Sequence, residues 1–433
     1  MSVIHRPTAI PTSRRLTGLL AAAALVVLGA IMPTPTLIGR PTAQAPSLAG
    51  PAEARPTTDP SPFDTAAALA QGADALQRAR ETADPAAYAQ AESAFRRVLG
   101  AEPENVPALI GLGSLWLSRH EFAEALAIGR RAERLNASSA SVLGIIGDAQ
   151  TELGRYDQAL ATVQRMVDLR PDLASYSRVS YQRELHGDLP GAISAMQLAV
   201  AAAGPATENT EYVRVQLGNL QFAIGHLAAA RQTYLRALAR LPDYHLALAG
   251  LARVVAAEGD LPAAIELYQR AKERLPLPEI VIGLGETLEA ARQPAAAADE
   301  YALAEAMQRL NASYGMRVDL ELAGFFADHG DPATALRLAR RAHAERPTVF
   351  AADTLAWALY QAGHPRPALS FAHEALRLGT QSSRLLYHAG VIEAGTGREA
   401  AARTHLAAAL ALNPAFSSLD APRAAALLRD LER

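Results

Sequence analysis

An all-α solenoid of stacked helix-turn-helix units is the fold this sequence predicts. Three observations carry the prediction. A short pattern of small and large apolar residues recurs at steps of 33 to 38 residues from about residue 72 onward. Half the residues are apolar but only 5% are aromatic, and much of the apolar share is alanine, which favours helix and close helix packing. Turn residues fall midway through several copies of the pattern. At about 100–200 residues per domain, 433 residues also admit two or three globular domains, so the period has to decide.

Before the first copy lie two segments of different character. Residues 1–32 carry Arg6, Arg14 and Arg15 with no acid, followed by an uncharged apolar run from Leu16 to Met32. This is the layout of a secretory signal or signal anchor, and the 17-residue run is at the short limit for spanning a bilayer. Ala43-Gln44-Ala45 is a small-x-small cleavage site, but it lies far beyond the run and Pro46 follows it. The segment therefore reads as an uncleaved anchor ahead of a cleaved signal. Either way the rest of the chain is expected to be exported, membrane-anchored or periplasmic or extracellular. Residues 33–62, rich in Pro, Ala and Thr, cannot bury a core and read as a semi-extended linker.

Charge and cysteine content exclude several classes of function. The chain has no cysteine, which removes disulfides, thiolate metal sites, cysteine nucleophiles and a lipid-modified cysteine. Lys272 is its one lysine among 41 basic residues, a bias typical of a GC-rich genome. The net charge is −3, but residues 1–45 hold four arginines and no acid. Beyond them, 37 basic residues face 44 acidic ones, a net of −7. Such a body disfavours a phosphate backbone, so nucleic acid is not an expected partner.

In the repeating pattern, Ala is followed four residues later by a large residue or Ala, three later by another apolar residue, and five later by Pro. Ala91, Phe95, Val98 and Pro103 form one copy. Ala230, Tyr234, Ala237 and Pro242 form another, as do Ala264, Tyr268, Ala271 and Pro276. Upstream stand pairs such as Leu112-Gly113, Leu217-Gly218 and Leu284-Gly285, with turns such as Gly154-Arg155-Tyr156 and Gly259-Asp260-Leu261 in between. In register, units begin near Gly72, Val106, Ala140, Leu173, Glu211, His245, Pro278, Met316, Val349 and Ser383. The array resembles tetratricopeptide repeats, about ten of them over residues 72–416, and the resemblance implies a right-handed α-solenoid. The organisation expected is a solenoid over 63–416 closed by a capping helix in 417–433, where Leu427, Leu428 and Leu431 stand beside Arg423, Arg429 and Arg433.

The residue types suit such units. Small residues fall where two helix backbones come closest, and a larger side chain there would force them apart. Asp188, Asp260 and Asp331 are placed to cap second helices, with Pro332 in the first turn, where its missing N–H costs nothing. His120 and Arg292 replace the turn glycine, and Ala137, Gly204, Arg309 and Thr380 stand in proline slots. Looser corners are expected there. Two steps of 38 residues add length around Ala203–Thr210 and Leu310–Gly315.

Chemistry is sparse. There is no His-Glu-x-x-His helix, no nucleophile elbow and no phosphate loop after a strand. His186-Gly187-Asp188 and His329-Gly330-Asp331 fall at turns, where His ends a helix and Asp caps the next. No catalytic residue, metal ligand or cofactor is assigned. A rival reading makes a His-Asp pair in the groove the site of an envelope enzyme. Another makes the chain a self-associating structural component.

The resemblance implies instead a protein-interaction scaffold, with first helices lining a concave face that takes a peptide or partner protein. The slot after each small residue, and the slot three later, give Tyr181 and Glu184, Asn219 and Phe222, Arg253, Glu286 and Glu289, and Trp357 and Tyr360 as groove candidates. Trp357 and Tyr360 would be anchors if exposed, since buried aromatics at interfaces carry much binding energy. The carboxylate-clamp ligand of the family is not expected, because Val215 occupies a slot that needs a basic residue. The membrane enters only through the N-terminal segment.

Overall fold

The computed structural model describes residues 63–204 and 208–433. The predicted leader and the whole of the predicted linker, residues 1–62, lie outside the described residues. Every described element is an α-helix, arranged as ten antiparallel pairs and a final helix. The first five pairs are α1 (Thr65–Thr82) with α2 (Ala86–Ala101), α3 (Val106–Ser118) with α4 (Phe122–Leu135), α5 (Ala140–Glu152) with α6 (Tyr156–Leu169), α7 (Leu173–Leu185) with α8 (Leu189–Ala201), and α9 (Glu208–Ala223) with α10 (Leu227–Arg240). The next five are α11 (His245–Ala257) with α12 (Leu261–Arg274), α13 (Pro278–Ala290) with α14 (Pro294–Ser313), α15 (Asp319–His329) with α16 (Pro332–Glu345), α17 (Val349–Gln361) with α18 (Pro365–Ala375), and α19 (Ser383–Gly395) with α20 (Glu399–Leu412). The last helix is α21 (Asp420–Leu431).

Helix starts at Val106, Ala140, Leu173, His245, Pro278, Val349 and Ser383 coincide with the starts that the period sets. The first unit begins earlier, at Thr65, because the Asp64 carboxylate accepts a hydrogen bond from the Ala67 amide and caps α1 there. One of the two longer steps is absorbed by α14, which runs for 20 residues.

Packing explains the repeat. The Phe95 ring sits between Gly72 of its own unit and Gly111 of the next; a Cβ on Gly72 would lie 2.6 Å from that ring, and one on Gly111 would overlap it. Tyr234 is held in the same way between Gly218 and Gly250. Phe95 and Tyr234 are thus knobs, and two glycines on successive first helices form the hole for each. Every unit buries its apolar face against the next, and α21 lays Leu427, Leu428 and Leu431 on the last of them.

The alanine slots are equally tight. Ala264 on α12 is fully buried. Ala264→Leu is expected to destabilise the protein by about 1–3 kcal/mol through overpacking, read as a lowered melting temperature. Unchanged melting would mean that this slot has spare room.

The turns follow the capping logic with two corrections. Asp188, Asp260 and Asp331 accept hydrogen bonds from the amides of Gly191, Ala263, and Ala333 with Thr334. His120 and Arg292 were expected to loosen their corners. Both adopt the left-handed conformation of the glycine they replace, with φ of 60° and 62°. His120 is almost fully buried and its corner is bolted, as described below. Gly330, in contrast, leaves α15 with φ of −149° and ψ of −132°, outside the left-handed region.

Candidate functional site

Four turns inside early units touch corners between units far along the chain. His120 Nδ1 is 2.9 Å from the Arg317 carbonyl oxygen, and the Arg317 amide donates to the Arg119 carbonyl at 3.1 Å. The Val349 amide donates to the Tyr156 hydroxyl at 2.9 Å. Thr380 Oγ1 donates to the Leu185 carbonyl, and Asn413 Nδ2 donates to the Phe222 carbonyl at 2.7 Å. The four side-chain bonds span 197, 193, 195 and 191 residues, between five and six units each. The solenoid therefore completes a turn and rests on itself, and the bonds form a ladder between the turns. Two of the departures from the repeat pattern, His120 and Thr380, are rungs of this ladder.

Closure converts the concave face into a cavity of about 550 Å³. Its wall comes from α5, α7, α9, α13, α14, α15, α17 and α19 and the Arg346 corner. The wall is acidic. Arg346 reaches Glu152 and Glu321, each at 3.7 Å, and lies 5.1 Å from the Phe122 ring centre in the neighbouring turn. Arg384 Nε lies 3.8 Å from Asp353, which also contacts His388 Nδ1 at 3.0 Å. His329 Nε2 is 3.4 Å from Glu286, and its ring stacks on Tyr301 with centroids 4.1 Å apart.

The environment sets the titration of these groups. Burial pushes Glu152 up to about 7, against the opposing pull of Arg346. Burial alone pushes Glu184 up to about 7. Glu279 is exposed to the cavity but surrounded by its wall, and this desolvation pushes it up to about 7 as well. Desolvation would lower His329, but the hydrogen bond and charge of Glu286 outweigh it, and its pKa stands above the ordinary value.

The predicted groove residues divide into three sets. Tyr181, Glu184 and Glu286 line the cavity. Asn219 and Arg253 line a smaller pocket of about 200 Å³, where the Asn219 Oδ1 accepts from the Tyr234 hydroxyl at 2.8 Å and from Arg253. Arg253 also covers the buried Phe222 ring at 5.2 Å. Glu289 lies elsewhere, accepting from the Tyr301 hydroxyl at 3.1 Å and facing Arg423 of α21 at 3.9 Å.

Trp357 and Tyr360 are not groove anchors. Trp357 is 6% exposed, because its ring stacks on His388 at 4.1 Å and its indole N–H donates to Asp328 at 2.7 Å. Tyr360 stacks behind it at 5.6 Å and meets the backbone of Gly395 in the next unit. Both pack between units 9 and 10. The proposed His-Asp pairs are also separated in role. Asp188 and Asp331 cap helices, His186 Nδ1 bonds the Gln182 carbonyl, and His329 turns to Glu286.

Slot reading missed Glu279, Glu321, Asp353 and Arg384. They lie nearer the N-terminal ends of the first helices than the slots used. A signal was present in α13, where Glu279, Ile282 and Glu286 fall on one face at helical spacing. Arg346 and Gln308 come from second helices or their ends and carry no such signal.

Comparison with known proteins agrees with this architecture. A family model described as the tetratricopeptide repeat matches residues 76–140, 146–207 and 215–277. The curated protein CTR9 homolog of Arabidopsis thaliana is 38% identical over 81 residues, which are 18% of this chain and only 7% of that protein. Among solved structures, the human IFIT1 dimer with m7Gppp-AAAA has 16% identity and a TM-score of 0.49, covering 73% of this chain and 72% of its own. A thermophilic tetratricopeptide protein of Thermus thermophilus has 19% identity and a TM-score of 0.38, covering 48% of this chain and 98% of its own. YrrB, described as having an unusual peptide-binding site, has 18% identity and a TM-score of 0.31, covering 46% of this chain and 97% of its own. Among the described residues the protein is an all-helical repeat array of stacked pairs. Between residues 76 and 277 the chain carries tetratricopeptide repeats.

Proposed function

We propose that the protein positions a partner by holding an extended segment of it in the central cavity, without chemistry of its own. The observation that carries this reading is the closure ladder, which turns a shallow concave face into a walled cavity lined by half-buried polar side chains. Enclosure buries more of a ligand and orders it with few contacts, which suits a segment recognised along its length. The same reading includes export, supported by the basic and apolar leader of residues 1–32. Among the described residues no helix is long and apolar enough to cross a membrane.

Site-specific photocrosslinking in the native host tests the scaffold reading. A crosslinking residue replacing Tyr181 in the cavity is expected to capture a discrete partner segment, while one replacing the exposed Leu235 is expected to capture none. Capture from Leu235 and not from Tyr181 would move the binding surface to the outer helices and sink the cavity reading. The mass of the mature chain from the same cells reads the leader, an intact N-terminus being expected for an anchor.

A further inference from the structure

Among the described residues, three carboxylates of the cavity wall have no ion pair: Asp328 accepts the Trp357 indole N–H, and Glu184 and Glu279 are left with no cation to answer them. Arg346 answers Glu152 and Glu321, Arg384 answers Asp353, and His329 answers Glu286. Among the described residues no ion pair reaches Glu184 or Glu279. Two further wall atoms, both hydrogen-bond acceptors, are buried without a partner. Gln308 is 3% exposed and its Oε1 accepts nothing. The Glu321 side chain is 9% exposed, and its Oε2 likewise accepts nothing. A buried acceptor left unpaired costs free energy that a donor from a ligand would recover. The wall thus lacks donors and positive charge together, and an ammonium or guanidinium group supplies both.

We infer that the cavity takes a peptide segment carrying at least two basic side chains, which bind Glu184 and Glu279 and donate to Gln308 and Glu321. The inference rests on the scaffold reading above and names its ligand class. Entry is open where Arg384 and Glu286 reach solvent, their side chains being 54% and 38% exposed. A free polyamine shares the same chemistry. The peptide is favoured because the cavity wall is drawn from seven of the ten helix pairs, which gives a long ligand many points of contact.

Proton linkage adds a signature. Tyr181, on the same helix as Glu184, lies within electrostatic reach of both Glu184 and Glu152 of α5, and Tyr212 of α9 lies within electrostatic reach of Glu279. Across the cavity stand the four answered pairs and Asp328. Nothing cationic lowers the two free carboxylates, so each releases a proton when a cation binds, and affinity rises with pH.

The test is calorimetric titration of the full chain with blocked alanine hexapeptides bearing two arginines, two glutamates or neither, and with spermidine. The two-arginine peptide is expected to bind saturably, more tightly at about pH 8 than at about pH 6, and at least about tenfold more weakly to the Glu184→Gln, Glu279→Gln double variant. That variant should fold. In the native protein Glu184 is protonated more readily than in the unfolded chain, so above about pH 7 its ionisation opposes folding and a neutral isostere removes that cost, while Glu279 is exposed and its replacement disturbs no packing. Its melting at about pH 8 is therefore expected to be no lower than that of the wild type. Equal binding of the neutral or acidic peptide, or unchanged affinity in the double variant, overturns the inference. Spermidine displacing the peptide at lower concentration reassigns the site to a free polyamine and also overturns it. A partner captured from Tyr181 whose bound segment carries no basic residue defeats this inference and leaves the scaffold reading intact. No capture from Tyr181 defeats the cavity reading on which the inference rests.

Discussion

Arg346→Ala is expected to lower stability by about 3 kcal/mol at about pH 8, with a clearly smaller loss at about pH 5. Arg346 is 8% exposed and bridges two superhelical turns, with Glu321 in its own turn and Glu152 and Phe122 in the neighbouring one. Removing it leaves both carboxylates enclosed without a cation. The pH dependence follows from Glu152, whose pKa is already raised to about 7 with Arg346 in place and rises further without it. At about pH 5 the native carboxyl is largely protonated and needs no partner. As pH rises past 7 the native state must either hold an unanswered charge or keep a proton that the unfolded chain gives up, so the loss grows. Thermal melting at the two pH values checks this. An equal loss at both would assign the role of Arg346 to packing on Phe122.

Gly187→Ala is expected to open the closed solenoid while leaving its helices intact. Gly187 has φ of 78°, where alanine costs about 1–2 kcal/mol. A Cβ there would also overlap the Gly379 carbonyl oxygen of the next turn. That neighbour is backbone, so no rotamer change relieves the overlap and the turns must separate. Gly363→Ala is the matched control, because Gly363 has φ of 79° and open space around its Cβ position. Both variants bear the conformational cost, and only Gly187→Ala bears the overlap. Small-angle scattering should show a larger radius of gyration for Gly187→Ala alone, with unchanged helical circular dichroism in both. Equal radii would mean that the two turns slide past one another without cost.

These two residues show where the reading of the sequence stops. Gly187 is recognisable as a turn glycine, since it ends a helix and Asp188 caps the next. That it also lies against Gly379 is not written in either neighbourhood. Arg346 stands before a corner proline and resembles any exposed basic residue at the end of a helix. Trp357 shows the converse. Its slot faces the groove by helical phase, but the indole found Asp328 and His388 in adjoining units and was buried. Helical phase assigns a direction to a side chain, and neighbours decide whether space is left in that direction.

The sequence alone determines the unit and its stacking, because those depend on contacts within about 40 residues. Glycine and alanine at the closest approaches, large rings between them, aspartate caps and left-handed turns are all local demands that a short pattern can meet. The cavity is decided only by tertiary structure. Curvature accumulates from a small rotation at each unit, and after five to six units it brings His120, Tyr156, Leu185 and Phe222 against Arg317, Val349, Thr380 and Asn413. No pattern of one unit's length records that sum. Glu184, legible from its slot, and Glu279, which was not, belong to one site because the solenoid closes.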